Sequence, residues 1–277
     1  MEKEKQEQII TSEDLYVNDR DIKIEIPIFI CNDYLPLSKN KCNMLSAFGG
    51  QGKSWIALNT AIYCANSGLK VLYFSKELTA GRLKLRKELL LKTVLTEKGN
   101  AYFNLDMIEK NMFYNKRNSD FTFFAEKDFD LIILDPYLSF FDGDDENQNK
   151  ANRAFIEKFT NFGNQTATTI LFIHHSRKDS EINEFQTRGA GAIIDSVQVL
   201  YEIASLKKSN KLYDDGYIER FDKNTDKVIV LKKDNEGIAE KLNLINDEYG
   251  RVLRAKPAIE KNNKEIKNEK ILPFYKK

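Results

Sequence analysis

Lys53 and Ser54 follow a run of mostly small residues, Ala47-Phe48-Gly49-Gly50-Gln51-Gly52. Those types in that order suit one task, gripping a chain of phosphates. Glycines let backbone N–H groups turn inward toward anionic oxygens. A lysine amine then reaches the outer phosphates, and the hydroxyl beside it can ligate Mg²⁺. The spacing is that of the Walker A loop, with Ala47 where the pattern has its first glycine. Alanine keeps the small size but resists positive φ. Such a loop works only between a strand and a helix, whose positive N-terminal end faces the same anion. Asn43 to Phe48 reads as that strand and Lys53 to Ala65 as that helix. The expected nucleotide-binding set is Gly49, Gly50, Gln51, Gly52, Lys53, Ser54 and Trp55. A chance glycine-rich turn is the plain alternative.

A second group of residues could act on a bound phosphate. Leu131-Ile132-Ile133-Leu134-Asp135 is an apolar run closed by a carboxylate. At the carboxyl end of a parallel strand, Asp135 would lie where open α/β sheets bind ligands. There it would share Mg²⁺ with Ser54. The plain reading is a cap on the turn before Pro136. Glu77 follows the run Val71 to Ser75, and a carboxylate in that place can orient or deprotonate an attacking water. Alone, it would be a solvated surface group. His174-His175 closes Thr169 to Ile173. A histidine there could contact a γ-phosphate and signal its loss, or be an ordinary hydrogen-bonded side chain. Metal binding by the pair is weakly supported, since no Cys or third His lies nearby.

The elements that must place these groups alternate. Apolar runs at Asn43–Phe48, Val71–Ser75, Leu131–Leu134 and Thr169–Ile173 are separated by helical patterns at Lys53–Ala65, Ala80–Glu97 and Ala151–Phe162. Strands apolar on both faces, with helices between them, predict an α/β fold with a mainly parallel sheet. Gly68 is placed to end the first helix. Ile22–Ile30 reads as a strand leading into the core, and Pro36 as a turn. Val197–Tyr201, Val228–Leu231 and Lys241–Ile245 read as short strands that extend the sheet in antiparallel fashion. The expected organisation is a flexible arm over 1–20, one ATPase domain over 21–255 and a charged tail over 256–277.

Composition bounds the rest. With a formal net charge of +1, no global field points to nucleic acid. Cys31, Cys42 and Cys64 lack paired spacing, so free thiols in a reducing cytosol are expected. No stretch approaches the roughly 20 apolar residues of a membrane span, and Met1-Glu2-Lys3-Glu4-Lys5 opens no signal peptide. A cytoplasmic protein without a membrane partner is expected, with ATP and Mg²⁺ as its ligands.

Taken in order, Gly-Gly-Gln-Gly-Lys-Ser, Ser-Lys-Glu-Leu at 75–78, Leu-Asp-Pro-Tyr at 134–137, Asp-Glu-Asn at 145–147, Phe-Ile-His-His-Ser-Arg-Lys at 172–178, Arg-Gly-Ala-Gly at 188–191 and Lys-Asp-Asn-Glu-Gly at 233–237 resemble a known group. They are similar to the RepA-type replicative helicases of small mobilisable plasmids, relatives of the DnaB helicases among the RecA-like ATPases. The resemblance spans about Cys42 to Gly237. It implies a homohexameric ring that hydrolyses ATP at subunit interfaces and tracks along single-stranded DNA during replication. It gives the nucleotide roles to Lys53, Ser54, Glu77, Asp135 and a histidine of the 174–175 pair. Lys233 matches a lysine that reaches the neighbour's nucleotide. The pattern's arginine finger would fall in a strand reading Asp195-Ser196-Val197-Gln198, where Gln198 carries no charge. Arg188 or Lys233 would have to substitute, or turnover is slow, or the ring does something other than unwind DNA.

Two loops are candidates for the DNA channel. Tyr137 to Lys150 is acidic, which repels phosphate backbones. Ser176 to Arg188 carries Arg177 and Lys178, diluted by acidic neighbours, and these two are the DNA-binding candidates. Lys84, Arg86, Lys87 and Lys92 share one predicted helix and fit a solvated face equally well. Ile271-Leu272-Pro273-Phe274-Tyr275, in the tail, is a candidate docking peptide for a protein partner. Two competing readings stand beside the helicase: a RecA-like regulatory ATPase that switches a protein-binding module without unwinding, and a small-molecule kinase.

Overall fold

The computed structural model describes residues 26–32, 34–47, 49–98, 103–115, 128–142, 148–175, 190–205, 227–236, 242–246 and 252–257. The arm over 1–20, most of the tail, and Arg177, Lys178 and Arg188 lie outside them.

Four apolar runs form the centre of a nine-stranded sheet. They are β3 (Cys42–Ala47), β4 (Val71–Ser75), β6 (Leu131–Asp135) and β7 (Thr169–His175). All but the last residue of β7 are buried, as strands covered on both faces should be. β1 (Phe29–Ile30) and β2 (Leu37–Ser38) make a separate antiparallel pair. Two further elements were not legible beforehand, β5 (Met112–Tyr114) on the β4 edge and the short helix before it, Leu105–Asn111. That helix starts at Asn104, whose side chain accepts from the Met107 N–H at 3.0 Å, an N-cap bond.

On the other edge lie β8 (Val199–Ser205), β9 (Lys227–Asp234), β10 (Leu242–Asn246) and β11 (Val252–Pro257). The strand order is β11-β10-β9-β8-β3-β7-β6-β4-β5. The expected antiparallel extension begins one strand later than the sequence suggests. β8 runs parallel to β3, and only β9, β10 and β11 alternate in direction. A helix, Ala190–Ser196, intervenes before β8, and a strand that returns through a helical crossover joins the sheet parallel. Asp195 and Ser196 therefore end a helix instead of opening a strand.

Two apolar layers clamp the sheet. The long helices are α1 (Lys53–Asn66), α2 (Ala80–Lys98) and, after the short α3 (Leu105–Asn111), α4 (Asn149–Thr166), with α5 (Ala190–Ser196) following β7. On one face Ile56, Ala57 and Ile62 of α1 meet Leu45, Ile133, Leu171 and Ile173. On the other, Phe155 and Ile156 of α4 and Ile193 of α5 meet Met44, Ile132 and Phe172. Residues alternate between the layers along each strand, as the pleat requires. Each such large apolar side chain contributes about 1.5–3 kcal/mol when fully buried. The second layer is strongly aromatic: Tyr137 meets Phe155 and Phe172 edge-on at 5.2 and 5.4 Å. α4 closes tightly against the chain that follows it. A Cβ on Gly163 would lie 2.7 Å from the Thr168 carbonyl oxygen, so glycine is needed there. The three thiols are free, Cys42 and Cys64 buried and Cys31 half-buried.

Candidate functional site

The loop between β3 and α1 is built as its glycines predict. Gly50 and Gly52 take φ of 75° and 89°, left-handed values that side chains resist. The Gly52 carbonyl accepts the N–H groups of Trp55 and Ile56 at 3.0 and 3.1 Å, which starts the helix. No side chain caps α1 and its first turn holds no acid. Its leading N–H groups and positive dipole end are thus left facing the loop, the arrangement that attracts anions.

Lys53 is buried at the foot of this loop, 5% exposed. Its Nζ donates to the Ala47 carbonyl at 3.1 Å and lies 3.2 Å from His175 Nδ1. Burial lowers its pKa to about 8, against the pull of Asp135 and Glu77. The same three groups sit at the ends of adjacent strands, so the electrostatics and the topology agree on one crevice.

Asp135 ends β6 and is buried. The Tyr73 hydroxyl, from the middle of β4, donates to its Oδ2 at 2.7 Å. The Ser54 hydroxyl also hydrogen-bonds this carboxylate. Burial raises the Asp135 pKa; the bonds from Tyr73 and Ser54 oppose it, Glu77 adds to it, and Lys53 opposes it. Glu77 is exposed in the turn after β4, within electrostatic reach of Lys53 and Asp135. That turn is pinned from three sides. The Lys76 N–H donates to the Asp135 carbonyl at 3.0 Å, and the Leu78 N–H donates to Ser75 Oγ at 2.9 Å. The Asn115 amide accepts from the Ser75 N–H at 3.0 Å and donates to the Ser75 carbonyl at 3.3 Å.

The histidine pair splits, because neighbours on a strand face opposite sides. His175 points to the phosphate loop and touches Lys53. His174 is fully buried on the far face, with its ring 5.4 Å from that of Tyr137. Trp55, on the first turn of α1, lies under the Arg86 guanidinium at 4.9 Å from the ring centre, a cation–π contact. Arg86 is therefore not part of a simple solvated face. Nor is Lys87, which is buried and 3.8 Å from Glu109 of α3, whereas Lys84 and Lys92 are exposed.

Lys233 is not brought to this loop. Its Nζ donates to the carbonyls of Ile194 and Asp195 at 2.7 and 2.8 Å, at the end of α5. Burial lowers its pKa, with Asp195 opposing. Gln198 lies nearby, at the amino-terminal end of β3: its N–H donates to the Cys42 carbonyl at 2.9 Å, and its Oε1 accepts from Asn235 at 3.0 Å. These residues occupy the sheet edge opposite the phosphate loop.

Sequence reasoning passed over Tyr73, Asn115 and Ser75. One signal was available. A tyrosine within a buried strand needs a partner for its hydroxyl, and the polar atoms at hand are those of the neighbouring strand ends. Asn115 gave no such hint, since it follows a strand that was itself not recognised.

A magnesium ion fits the groups present. Ser54 and Asp135 already touch, and both offer hard oxygen donors. Two protein oxygens suit an ion that keeps waters and takes phosphate oxygens for the rest of its shell.

The fold is similar to a solved structure, the ATPase domain of a helicase, with a TM-score of 0.54 at 12% identity, covering 78% of this chain and 85% of that one. No curated protein matches the sequence. The likeness shows a RecA-like core: a mostly parallel sheet flanked by helices, with antiparallel strands at one edge. The family model described as an AAA domain matches residues 14–181, which span the loop, both carboxylates and both histidines. The chain belongs to that family of P-loop ATPases.

Proposed function

We propose that the chain is the motor of a ring-forming DNA helicase that hydrolyses ATP and tracks on single-stranded DNA. Residues 21–255 form the ATPase domain, between an arm over 1–20 and a tail over 256–277. One observation carries the catalytic half of this reading. Lys53, His175, Asp135 and Glu77 stand at or just past the ends of β3, β7, β6 and β4, four consecutive neighbours in the sheet.

The chemistry follows from the placement. The loop N–H groups of Gly49 to Ser54 and the start of α1 hold the phosphates. Lys53 exchanges its contacts with Ala47 and His175 for β- and γ-phosphate oxygens, and the ammonium form is the one that binds. Ser54 and Asp135 hold magnesium, which neutralises charge developing on the phosphate oxygens. Glu77, exposed and firmly placed, orients a water and accepts its proton as that water attacks the γ-phosphorus. The P–O bond to the β-phosphate breaks, leaving ADP and phosphate. His175, released from Lys53 when phosphate arrives, contacts the γ-phosphate and reports its loss to the chain after β7. Trp55 lies beside the nucleotide.

Ring assembly explains the second region. Lys233 and the phosphate loop occupy opposite edges of the sheet, so head-to-tail packing sets one against the other in a closed ring. Lys233 then serves the neighbour's nucleotide, with Arg188 beside it. Arg177 and Lys178 line the channel, and the tail offers a protein-docking segment. A second reading, a regulatory ATPase without unwinding, rests on Gln198. It is hydrogen-bonded to Asn235 at the place where the resemblance calls for an arginine, and it supplies no charge.

The test is ATP turnover with and without single-stranded DNA at two salt concentrations, with Lys53→Ala as control. Stimulation that fades as salt rises supports the motor, because phosphate contacts release counterions. Slow turnover indifferent to DNA supports the regulatory module and sinks the helicase.

A further inference from the structure

Tyr73 is a buried hydroxyl with a specific position. It lies in β4 opposite Ile133 of β6, and residues paired in a parallel register face the same side. Asp135 is two residues beyond Ile133, so it faces that side too. The phenol leans along the strand and reaches it. The ring is fully buried in the layer beneath α1. The same hydroxyl lies 3.4 Å from the Ser54 carbonyl, on the first turn of α1. A phenol has one proton to give. The 2.7 Å contact to a carboxylate is the charge-assisted one, and it takes that proton.

We propose that Tyr73 is a positioning residue for magnesium: it fixes the Asp135 carboxylate in the one orientation that shares the ion with Ser54. The inference rests on the ATP-site reading above. A carboxylate at the end of an aspartate turns about a broad, two-fold torsion. Tyr73 holds one of its oxygens, and Ser54 contacts the same group. The phenol also meets the helix turn that carries Ser54. One side chain thereby sets both protein ligands against each other. Volume alone does not account for it. Phe74, the next residue, is buried in the opposite layer with no hydroxyl, and a phenylalanine at 73 would fill the same space.

The experiment uses the full chain and Tyr73→Phe. Trp55 is the chain's single tryptophan and stands on the first turn of α1 beside Lys53 and Ser54, so its fluorescence reports nucleotide binding without turnover. ADP is titrated with EDTA present, then at rising Mg²⁺. The expected result is unchanged affinity in EDTA, with the Mg²⁺ concentration for half-maximal tightening raised about tenfold, the scale on which a ligand's supporting bond acts. In an Asp135→Asn background, Tyr73→Phe then has no further effect on the Mg²⁺ requirement. An unchanged Mg²⁺ requirement in Tyr73→Phe overturns the proposal. Equal weakening with and without Mg²⁺ also overturns it, since that marks general loosening. Failure of the wild-type chain to bind nucleotide would be a different result, removing the ATP-site reading and the inference with it.

Discussion

Two regions of this sheet handle their polar residues in opposite ways. Along β3, β7, β6 and β4, buried strands carry Lys53, His175, Asp135 and Glu77 to one crevice. Groups from the same chain hold them there, with Tyr73 on Asp135 and the Lys76 backbone, Ser75 and Asn115 around the turn of Glu77. Along β8 and β9, Lys233 is occupied by the end of α5, and Gln198 by Asn235. The family model stops at residue 181, between the two. One region is complete as a site within a single chain. The other is a set of satisfied surface contacts whose further use needs another molecule. Nucleotide binding should therefore survive isolation of the subunit, and what the second region adds should depend on assembly.

The strongest break in that contrast comes from Lys53→Ala. Removing a buried group that neutralises developing phosphate charge costs about 10²–10³ in rate. Here the anchor for bound phosphates goes as well, so turnover should fall to background and nucleotide affinity should drop with it. Phosphate release and Trp55 fluorescence measure the two separately. Wild-type turnover in this variant would remove the site assignment. Glu77→Gln comes next. Loss of a positioned base costs about 10²–10⁴ in rate, while ADP and ATP should bind as before. Weakened binding of both would mean that Glu77 shapes the loop instead of acting on water.

The first region was largely legible, and the reason is physical. Phosphate chemistry needs glycine, lysine and a hydroxyl in fixed order, and β3, β4, β6 and β7 are apolar without interruption because both faces are covered. Their bounds, and those of α1 and α2, fall within a few residues of the sequence expectation. The second region was not. β8 resembles β9 in composition, and strand direction depends on whether a helix intervenes. Ala190–Ser196 is too short to show a helical period. β5 has three residues, and its stabilising partner is β4, far away in sequence. Within the site, the period of two along β7 could have separated His174 from His175. Choosing between them required knowing which face carries α1, and only the packed structure supplies that.

A smaller test uses pH. The folded chain lowers the Lys53 pKa from 10.5 to about 8 through burial. Between those values the unfolded chain holds a proton that the folded chain has released. Stability of the nucleotide-free protein should therefore rise with pH across that interval, as far as this group contributes. Nucleotide binding should move the other way, because the phosphates favour the ammonium. Affinity should be about tenfold weaker at pH 9 than at pH 7, since the proton must first be restored to a group that titrates near 8. A flat affinity profile over that range in wild type would mean that Lys53 is already charged when empty, with the Ala47 and His175 contacts reflecting an ammonium donor only.

Lys233→Ala should have the smallest effect on the isolated chain, and for that reason it sharpens the comparison most. Its ammonium donates to two carbonyls at the end of α5, where the helix dipole is negative. An exposed cation there contributes about 0.3–1 kcal/mol. Urea unfolding should register a loss of that size, and nucleotide affinity should not change. If Lys233 only caps α5, turnover is also unchanged at every protein concentration. If it serves a neighbour's nucleotide, turnover falls in the assembled protein while dilute subunits bind ATP as before. Lys233→Arg then separates charge from shape, because it keeps the cation while altering the fit to the two carbonyls. Recovery of turnover by arginine without recovery of stability would assign Lys233 to the neighbour's phosphates, and the reverse pattern would return it to the helix end.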